Sequence, residues 1–225
     1  MSKSELNADT FWSLIDQAKE HWDHDPNEAS DWLVGQLVSM GPEQAKTFDT
    51  IARVYMDLAY QYGLWTAALV MERGGCSDDG FMDFRQWLVA QGKDVYMAAL
   101  KDPDSLADAP PYQDWQFDSL PRMGDYAYEE LTGRDTFQDF DPAQYHALKA
   151  ELKKDIVYGE GIGYPYDWLD VPAYLPRLCA KYFPPAQLIA QAKIHYPSWN
   201  LTNPEIQAAR KTAQKNKRVT DRGAR

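Results

Sequence analysis

Apolar residues recur at helical spacing along most of this chain, and no other sequence feature constrains its fold as strongly. Phe11, Leu14, Ile15 and Ala18 follow the i, i+3, i+4, i+7 pattern that places side chains on one face of a helix. The same spacing continues in later segments. No stretch shows the strict alternation of apolar and polar residues that is typical of a half-buried strand, and no segment repeats. The pattern predicts an all-α protein with an irregular multi-helix bundle.

Glycine and proline mark where the predicted helices begin and end. Gly41-Pro42 predicts the end of one helix and the start of another, and the spacing extends that second helix to Gly63. Gly133 predicts the end of a helix that begins at Met123. The C-terminal third is less regular, because VYGEGIGYPYDWLDVP contains too much glycine and proline for a long helix.

These patterns divide the chain into three parts. Residues 1–135 are predicted to form a helical core domain, and 136–203 a less regular extension of helices and loops packed on that core. Residues 204–225 are predicted to form a basic C-terminal helix or tail. Six apolar side chains are expected to be largely buried: Trp12, Phe48, Leu69, Phe84, Trp87 and Leu88.

Composition excludes several classes of protein. Hydrophobic residues make up 44% of the chain and aromatic residues 13%, which is too much apolar material for a disordered protein. The longest apolar run, 64–71, is far shorter than the roughly 20 residues that span a bilayer. The first residues lack the apolar segment of a signal peptide, and two cysteines cannot form a disulfide framework. We therefore expect a cytoplasmic protein that does not bind membranes.

Charge is distributed unevenly along the chain. Residues 210–225 contain seven Lys or Arg and one Asp, whereas residues 1–209 contain 16 basic and 33 acidic residues. An acidic body repels the phosphates of nucleic acids and favours a protein partner with a basic surface. The simpler interpretation is that the charge serves solubility alone.

One candidate site is the segment GGCSDDGF, between two apolar helices. Gly74 or Gly75 is expected to close the first helix in a left-handed conformation, and Ser77 or Asp78 to cap the second. The alternative is a functional cluster around the same corner, with Arg85 and Trp87 nearby. The candidate binding residues are Cys76, Ser77, Asp78, Asp79, Arg85 and Trp87.

Neither a metal nor a cofactor is predicted. Asp78 and Asp79 are adjacent on a helix, so their side chains point about 100° apart, which is poor geometry for a shared ion. GEGIGY, at 159–164, lacks the preceding strand and following helix of a dinucleotide-binding loop. The aromatic side chains around these glycines form a second candidate binding surface, with core packing as the alternative: Tyr164, Tyr166 and Trp168.

Five stretches occur in a characteristic order: DTFWSLID, LVSMGPEQAKTFD, YGLWTAALVMERGGCSDDGFMDFRQWLVAQGKDVY, ALKDPDSLAD and YEELTG. Over about residues 10–135 they resemble a bacterial family known as domain of unknown function 4240. The resemblance implies a soluble, largely helical domain. It implies no activity, substrate or catalytic residue.

The residues favour a non-enzymatic role in which this protein binds another macromolecule, foremost a protein. An acidic inhibitor or immunity-like protein that neutralises a basic toxin fits the charge. The alternative is an enzyme or a small-ligand-binding domain whose site lies around Cys76–Asp79. No catalytic residue is assigned, and the sequence does not predict the oligomeric state.

Overall fold

Helices form nearly all the regular structure of this protein. The computed structural model describes residues 6–21, 26–73, 75–112, 119–166 and 170–182. No strand occurs within these ranges, which confirms the all-α prediction. The helices are α1 (Ala8–Glu20), α2 (Pro26–Met40), α3 (Pro42–Leu58), α4 (Tyr62–Met71), α5 (Asp78–Ala90), α6 (Lys93–Lys101), α7 (Met123–Thr132), α8 (Pro142–Leu152), α9 (Val171–Tyr174) and α10 (Pro176–Tyr182), with 3-10 turns at Pro103–Asp108, Leu120–Arg122 and Lys153–Asp155.

Contacts group the described residues into two compact units. The first combines residues from Met1–Tyr60, Ser77–Met97 and Ala109–Ile156, and the second combines Gln61–Cys76, Ala98–Asp108 and the segment from Val157 onward. Each unit therefore joins segments that are distant in sequence. The contiguous boundaries at residues 135 and 203 stay a prediction, and the basic tail lies outside the described residues.

Local sequence signals explain most helix ends. The Asn7 side chain accepts a hydrogen bond from the Thr10 amide at the start of α1, and Asp141 caps α8 in the same way. Pro42 occupies the first turn of α3 after Gly41, whose φ is 99°. Gly133 follows α7 with a φ of 71°, as the sequence predicted.

The prediction that α3 continues to Gly63 is wrong, because α3 ends at Leu58 and Gly63 lies inside α4. The Gly63 amide donates a hydrogen bond to the Ile162 carbonyl at 2.7 Å. A Cβ at this position would stand 3.0 Å from Ile162 Cγ1 and 3.2 Å from its carbonyl oxygen. Gly63 is therefore explained by close packing within the second unit, not by helix termination.

Aromatic side chains fill the core of the first unit, where α3 packs against the surrounding helices. Phe11 contacts Phe48 and Tyr55 at ring separations of 4.7 and 5.6 Å. The Trp12 indole donates a hydrogen bond to the Tyr55 hydroxyl, and the Tyr96 hydroxyl donates to the Tyr55 carbonyl. The six side chains expected to be buried are all at most 2% exposed, which confirms that prediction.

In the second unit, α4 packs near the 3-10 turn at Pro103–Asp108 and α10. The buried Asp104 carboxylate accepts hydrogen bonds from the Arg177 and Leu178 amides, which satisfies donors at the start of α10. The glycine-rich segment forms turns, and the Gly159 amide donates to the Leu100 carbonyl. The prediction that this segment is not a long helix is confirmed.

Candidate functional site

The corner before α5 is built from helix-capping interactions. Ser77 Oγ accepts a hydrogen bond from the Gly80 amide at 3.0 Å, which makes Ser77 the N-cap of α5. Asp78 and Asp79 occupy the first turn, where the helix dipole favours negative charge. The Tyr60 hydroxyl donates to Asp78 Oδ1 at 3.2 Å.

Of the two glycines expected to close the helix before this corner, the structure describes only Gly75. Arg73, not Gly75, adopts the left-handed conformation, with a φ of 57°. Gly74 lies outside the described residues. Cys76 is 1% exposed, and its carbonyl accepts a hydrogen bond from the Trp65 indole at 3.1 Å. Within the part of the chain that the structure describes, no group of three potential ligands could hold a metal.

We expect Ser77→Ala to lower the free energy of unfolding by about 1 kcal/mol, because the Gly80 amide loses its capping partner. The exposed Ser39, whose hydroxyl donates to the Gln36 carbonyl, provides a control for which Ser→Ala should change stability by less than about 0.5 kcal/mol. Urea unfolding measures both variants. Stabilisation by both Asp78→Asn and Asp79→Asn would contradict the capping interpretation and indicate carboxylates held together for function.

The other sequence candidates lie in different surroundings. Trp87 is buried against Phe84 and Tyr112, with ring separations of 5.3 and 5.4 Å. Tyr166 stacks on Tyr174 at 4.2 Å, and Tyr164 is exposed. Trp168 lies outside the described residues. A binding role for these residues stays a prediction.

Arg85, by contrast, lies at a surface groove of the first unit. Two adjoining concavities, with volumes of about 420 and 360 Å³, share Arg53, Met56 and Met82 in their walls. We call them together the arginine groove. The first is completed by Asp57, Arg85, Phe137, Phe140 and Tyr145, and the second by Asp49, Ala52, Gln86, Pro121, Arg122 and Asp125.

Three large apolar side chains are exposed in the first concavity. Phe137 is 74% exposed, Met82 43% and Phe140 42%. Hydrogen bonds fix the backbone that carries the two phenylalanines: the Thr136 amide donates to Asp125, and the Phe140 amide donates to the Phe137 carbonyl. The two rings are therefore presented to solvent by a segment with defined local structure.

The guanidinium of Arg85 is held between backbone and aromatic groups. Its Nε donates to the Phe81 carbonyl at 3.3 Å and its Nη1 to the Met56 carbonyl at 3.0 Å, near the C-terminus of α3. The guanidinium carbon lies 4.7 Å from the centre of the Tyr60 ring. The side chain is 8% exposed, and burial lowers the pKa of Arg85 despite the nearby charge of Asp57.

Asp49 forms the buried end of a polar network on the same side of α3. Its Oδ2 accepts hydrogen bonds from Arg53 Nε at 2.6 Å and Thr136 Oγ1 at 2.8 Å. The Thr136 hydroxyl also lies 2.7 Å from Asp125 Oδ1, but it has one proton to donate. Burial raises the pKa of Asp49, while the charge of Arg53 and both hydrogen bonds act in the opposite direction.

Asp57 lies about two turns after Asp49 on α3, in a different electrostatic setting. Its Oδ2 accepts hydrogen bonds from the Tyr145 hydroxyl and from Lys149 Nζ. Burial would raise the pKa of Asp57, but these two hydrogen bonds and the charge of Lys149 outweigh it and lower the pKa. The pKa of Tyr145 is raised by burial and by the same carboxylate.

Comparison with known proteins identifies the family of this chain. Residues 6–130, more than half of the chain, match the family described as "Protein of unknown function (DUF4240)". The chain belongs to the DUF4240 family. No curated protein and no solved structure matches it. Within the described residues, no helix has the length and apolar character needed to cross a membrane.

The DUF4240 match includes only part of the arginine groove. The helical wall contributed by α3 and α5, with Arg53, Met82 and Arg85, lies inside the matched residues. The aromatic wall, with Phe137, Phe140 and Tyr145, begins beyond residue 130. The groove is therefore formed by the DUF4240 region together with the segment that follows it.

The sequence made Arg85 a candidate only as a neighbour of the Cys76–Asp79 corner, and it did not indicate the other residues that line this groove. Asp49 and Arg53 interrupt an apolar helix face at i and i+4, a spacing that indicates a paired polar site in a buried setting. Phe137 and Phe140 stand in the polar segment RDTFQDFDP, between a helix-ending glycine and a helix-starting proline. Large aromatic residues in such a connection are a usable signal for an exposed binding surface.

Proposed function

We propose that this protein binds another protein by holding a short apolar segment of it in the arginine groove. The observation that carries the proposal is the exposure of Phe137, Phe140 and Met82 around one concavity of about 420 Å³. Aromatic residues, Met and Arg are enriched in protein–protein interfaces, and exposed apolar clusters mark such sites. A partner's apolar side chain would remove this surface from water.

The chemical content of the groove supports binding more than catalysis. Its walls, as far as the structure describes them, offer arginines, paired aspartates, methionines and aromatic rings. Two of its aspartates already form ion pairs, Asp49 with Arg53 and Asp57 with Lys149. An enzyme or a small-ligand-binding domain with its site around Cys76–Asp79 is the alternative, but Ser77 Oγ serves there as the cap of α5.

The charge of the chain supports a partner with a basic surface outside the groove. Residues 1–209 contain 33 acidic and 16 basic residues, so their field attracts positive charge at long range. Such attraction increases the rate of association and weakens as salt is added. An inhibitor or immunity-like protein acting on a basic target is one form of this proposal.

Selection from a library of random 12-residue peptides, with the full chain immobilised, tests the proposed function. We expect enrichment of peptides with large apolar side chains. The affinity of an enriched peptide should fall about tenfold or more for the double variant Phe137→Ser, Phe140→Ser, because two anchoring rings are lost. Fluorescence polarisation measures the affinity, and thermal melting confirms that the variants fold.

Two further variants make this test specific. Val157→Ala changes an exposed apolar residue that is not among the residues lining the groove, and it should leave the affinity unchanged. Tyr164→Ser tests the rival surface at the glycine-rich loop. Loss of affinity with Tyr164→Ser, together with full affinity in the double variant, would overturn the proposal and transfer the site to that loop.

A further inference from the structure

We infer that the segment held in the arginine groove carries a carboxylate next to a bulky apolar side chain, and that Arg85 binds this carboxylate. The inference rests on the proposed function and deepens it, because it specifies the chemistry that the partner must present. The carboxylate can belong to an Asp or Glu side chain or to a C-terminus. All three present the same pair of oxygens to a guanidinium.

The hydrogen bonds of Arg85 leave donors available at the groove. A guanidinium has five N–H donors, and Arg85 uses one on the Phe81 carbonyl and one on the Met56 carbonyl. Among the described residues, no carboxylate lies within 4.0 Å of this guanidinium. Arg85 lines the first concavity, so a group that enters there can approach its remaining donors.

Charge in the first concavity is otherwise balanced. Asp49 pairs with Arg53 at 2.6 Å, and Asp57 pairs with Lys149 at 2.9 Å. Asp57 and Asp78 both act on Arg85 at longer range, but Asp57 is paired with Lys149, and Asp78 is exposed and accepts the hydrogen bond of Tyr60. The positive charge of Arg85 is therefore in excess at this wall. A buried cation without a direct ion-pair partner is costly, and an incoming carboxylate reduces that cost.

The aromatic wall determines which kind of side chain the partner presents next to its carboxylate. Phe137 and Phe140 line the same concavity as Arg85, together with the two methionines. An apolar side chain against these groups excludes water from the guanidinium, and exclusion of water strengthens the charged hydrogen bond. The groove thus favours an acidic and a large apolar residue close together, although the acidic body favours a basic partner overall.

Arg85 also has a structural role that any test must separate from binding. Its hydrogen bond to the Met56 carbonyl satisfies one of the last carbonyls of α3, and its charge lies near the negative end of that helix. Replacement of Arg85 can therefore lower stability without any effect on a ligand. A change made on the peptide avoids this ambiguity.

The experiment uses the peptides from the random library. We expect the enriched peptides to combine Asp or Glu with a neighbouring aromatic or large aliphatic residue. Exchange of that Glu for Gln should weaken binding to the unchanged protein about tenfold, and added NaCl should reduce this difference. With Arg85→Gln, the Glu and Gln peptides should bind almost equally, whereas Arg177→Gln, which changes a surface arginine that does not line the groove, should retain the tenfold preference. Arg85→Lys keeps the charge but loses the two-pronged geometry, and should retain only part of the preference.

Each outcome has a defined meaning. Enriched peptides that are apolar but contain no carboxylate would overturn this inference and leave the proposed function intact. A Glu preference that survives unchanged in Arg85→Gln would also overturn it, because another group would then hold the carboxylate. If no peptide is enriched, the proposed function fails and this inference fails with it.

Discussion

Gly124→Ala is expected to lower the free energy of unfolding by about 3 kcal/mol, the upper end of the usual cost of overpacking. A Cβ on Gly124 would lie 2.6 Å from the Asp49 amide nitrogen and 2.7 Å from the Ala45 carbonyl oxygen. Both are backbone atoms of α3, so they cannot move aside as a flexible side chain could. The substitution must therefore push α7 away from α3. Urea unfolding followed by circular dichroism measures the change.

Gly35→Ala is the matched control for this prediction. Gly35 lies within α2, and a Cβ there would have no neighbour within 4 Å. Alanine is favoured over glycine in a helix by about 1 kcal/mol, so this variant should be more stable. Changes of opposite sign in the free energy of unfolding for these two Gly→Ala variants would verify the close approach of α7 and α3. Equal effects would contradict it.

Asp49→Ala is expected to cost about 2–3 kcal/mol, because it leaves Arg53 without its carboxylate partner, while the Thr136 hydroxyl keeps Asp125 as an acceptor. The estimate is below the usual cost of breaking a buried ion pair, since the Arg53 side chain is 39% exposed. Glu151→Ala provides a control, because Glu151 pairs with Lys154 on the surface and should contribute less than about 0.5 kcal/mol. Thermal and urea unfolding at neutral pH compare the two variants.

The dependence of stability on pH tests the raised pKa of Asp49 separately from the loss of its hydrogen bonds. The folded-state pKa of Asp49 is raised, mainly by burial, so the folded protein binds this proton more tightly than the unfolded chain. The stability that this proton contributes is complete below the unfolded pKa of about 3.9 and is lost as the pH rises through the folded value. As the pH rises over this range, the stability of Asp49→Asn should therefore increase relative to that of the unchanged protein. A difference that is constant with pH would contradict the raised pKa.

The sequence predicted the helices better than their arrangement. Pro42 and Gly133 mark helix ends by local backbone chemistry, so their signals can be read without the fold. Gly63 and Gly124 carry no such signal, because their role depends on residues that approach from elsewhere: Ile162 in one case and α3 in the other. The prediction that α3 would extend to Gly63 is wrong for the same reason, because the contact with Ile162 is not visible in the local sequence.

The candidate site was predictable to a smaller extent. Arg85 was a candidate because it follows the corner at Ser77, yet its position in the groove depends on the end of α3. Phe137 and Phe140 were not candidates, because aromatic residues are normally expected to be buried. The polar segment around them is a local signal of exposure, but the placement of the two rings depends on tertiary contacts such as the hydrogen bond between the Thr136 amide and Asp125.

The hydrogen-bonded segment that carries Phe137 and Phe140 has a consequence for the kinetics of recognition. Its backbone is held at one end by Asp125 and at the other by the start of α8, where Asp141 bonds the Ala143 and Gln144 amides. Folding has therefore already removed most of the conformational entropy that a flexible loop would lose on binding. Association would then proceed as the docking of a preorganised surface, in a single kinetic phase, and differences in affinity among partners would lie mainly in their rates of dissociation.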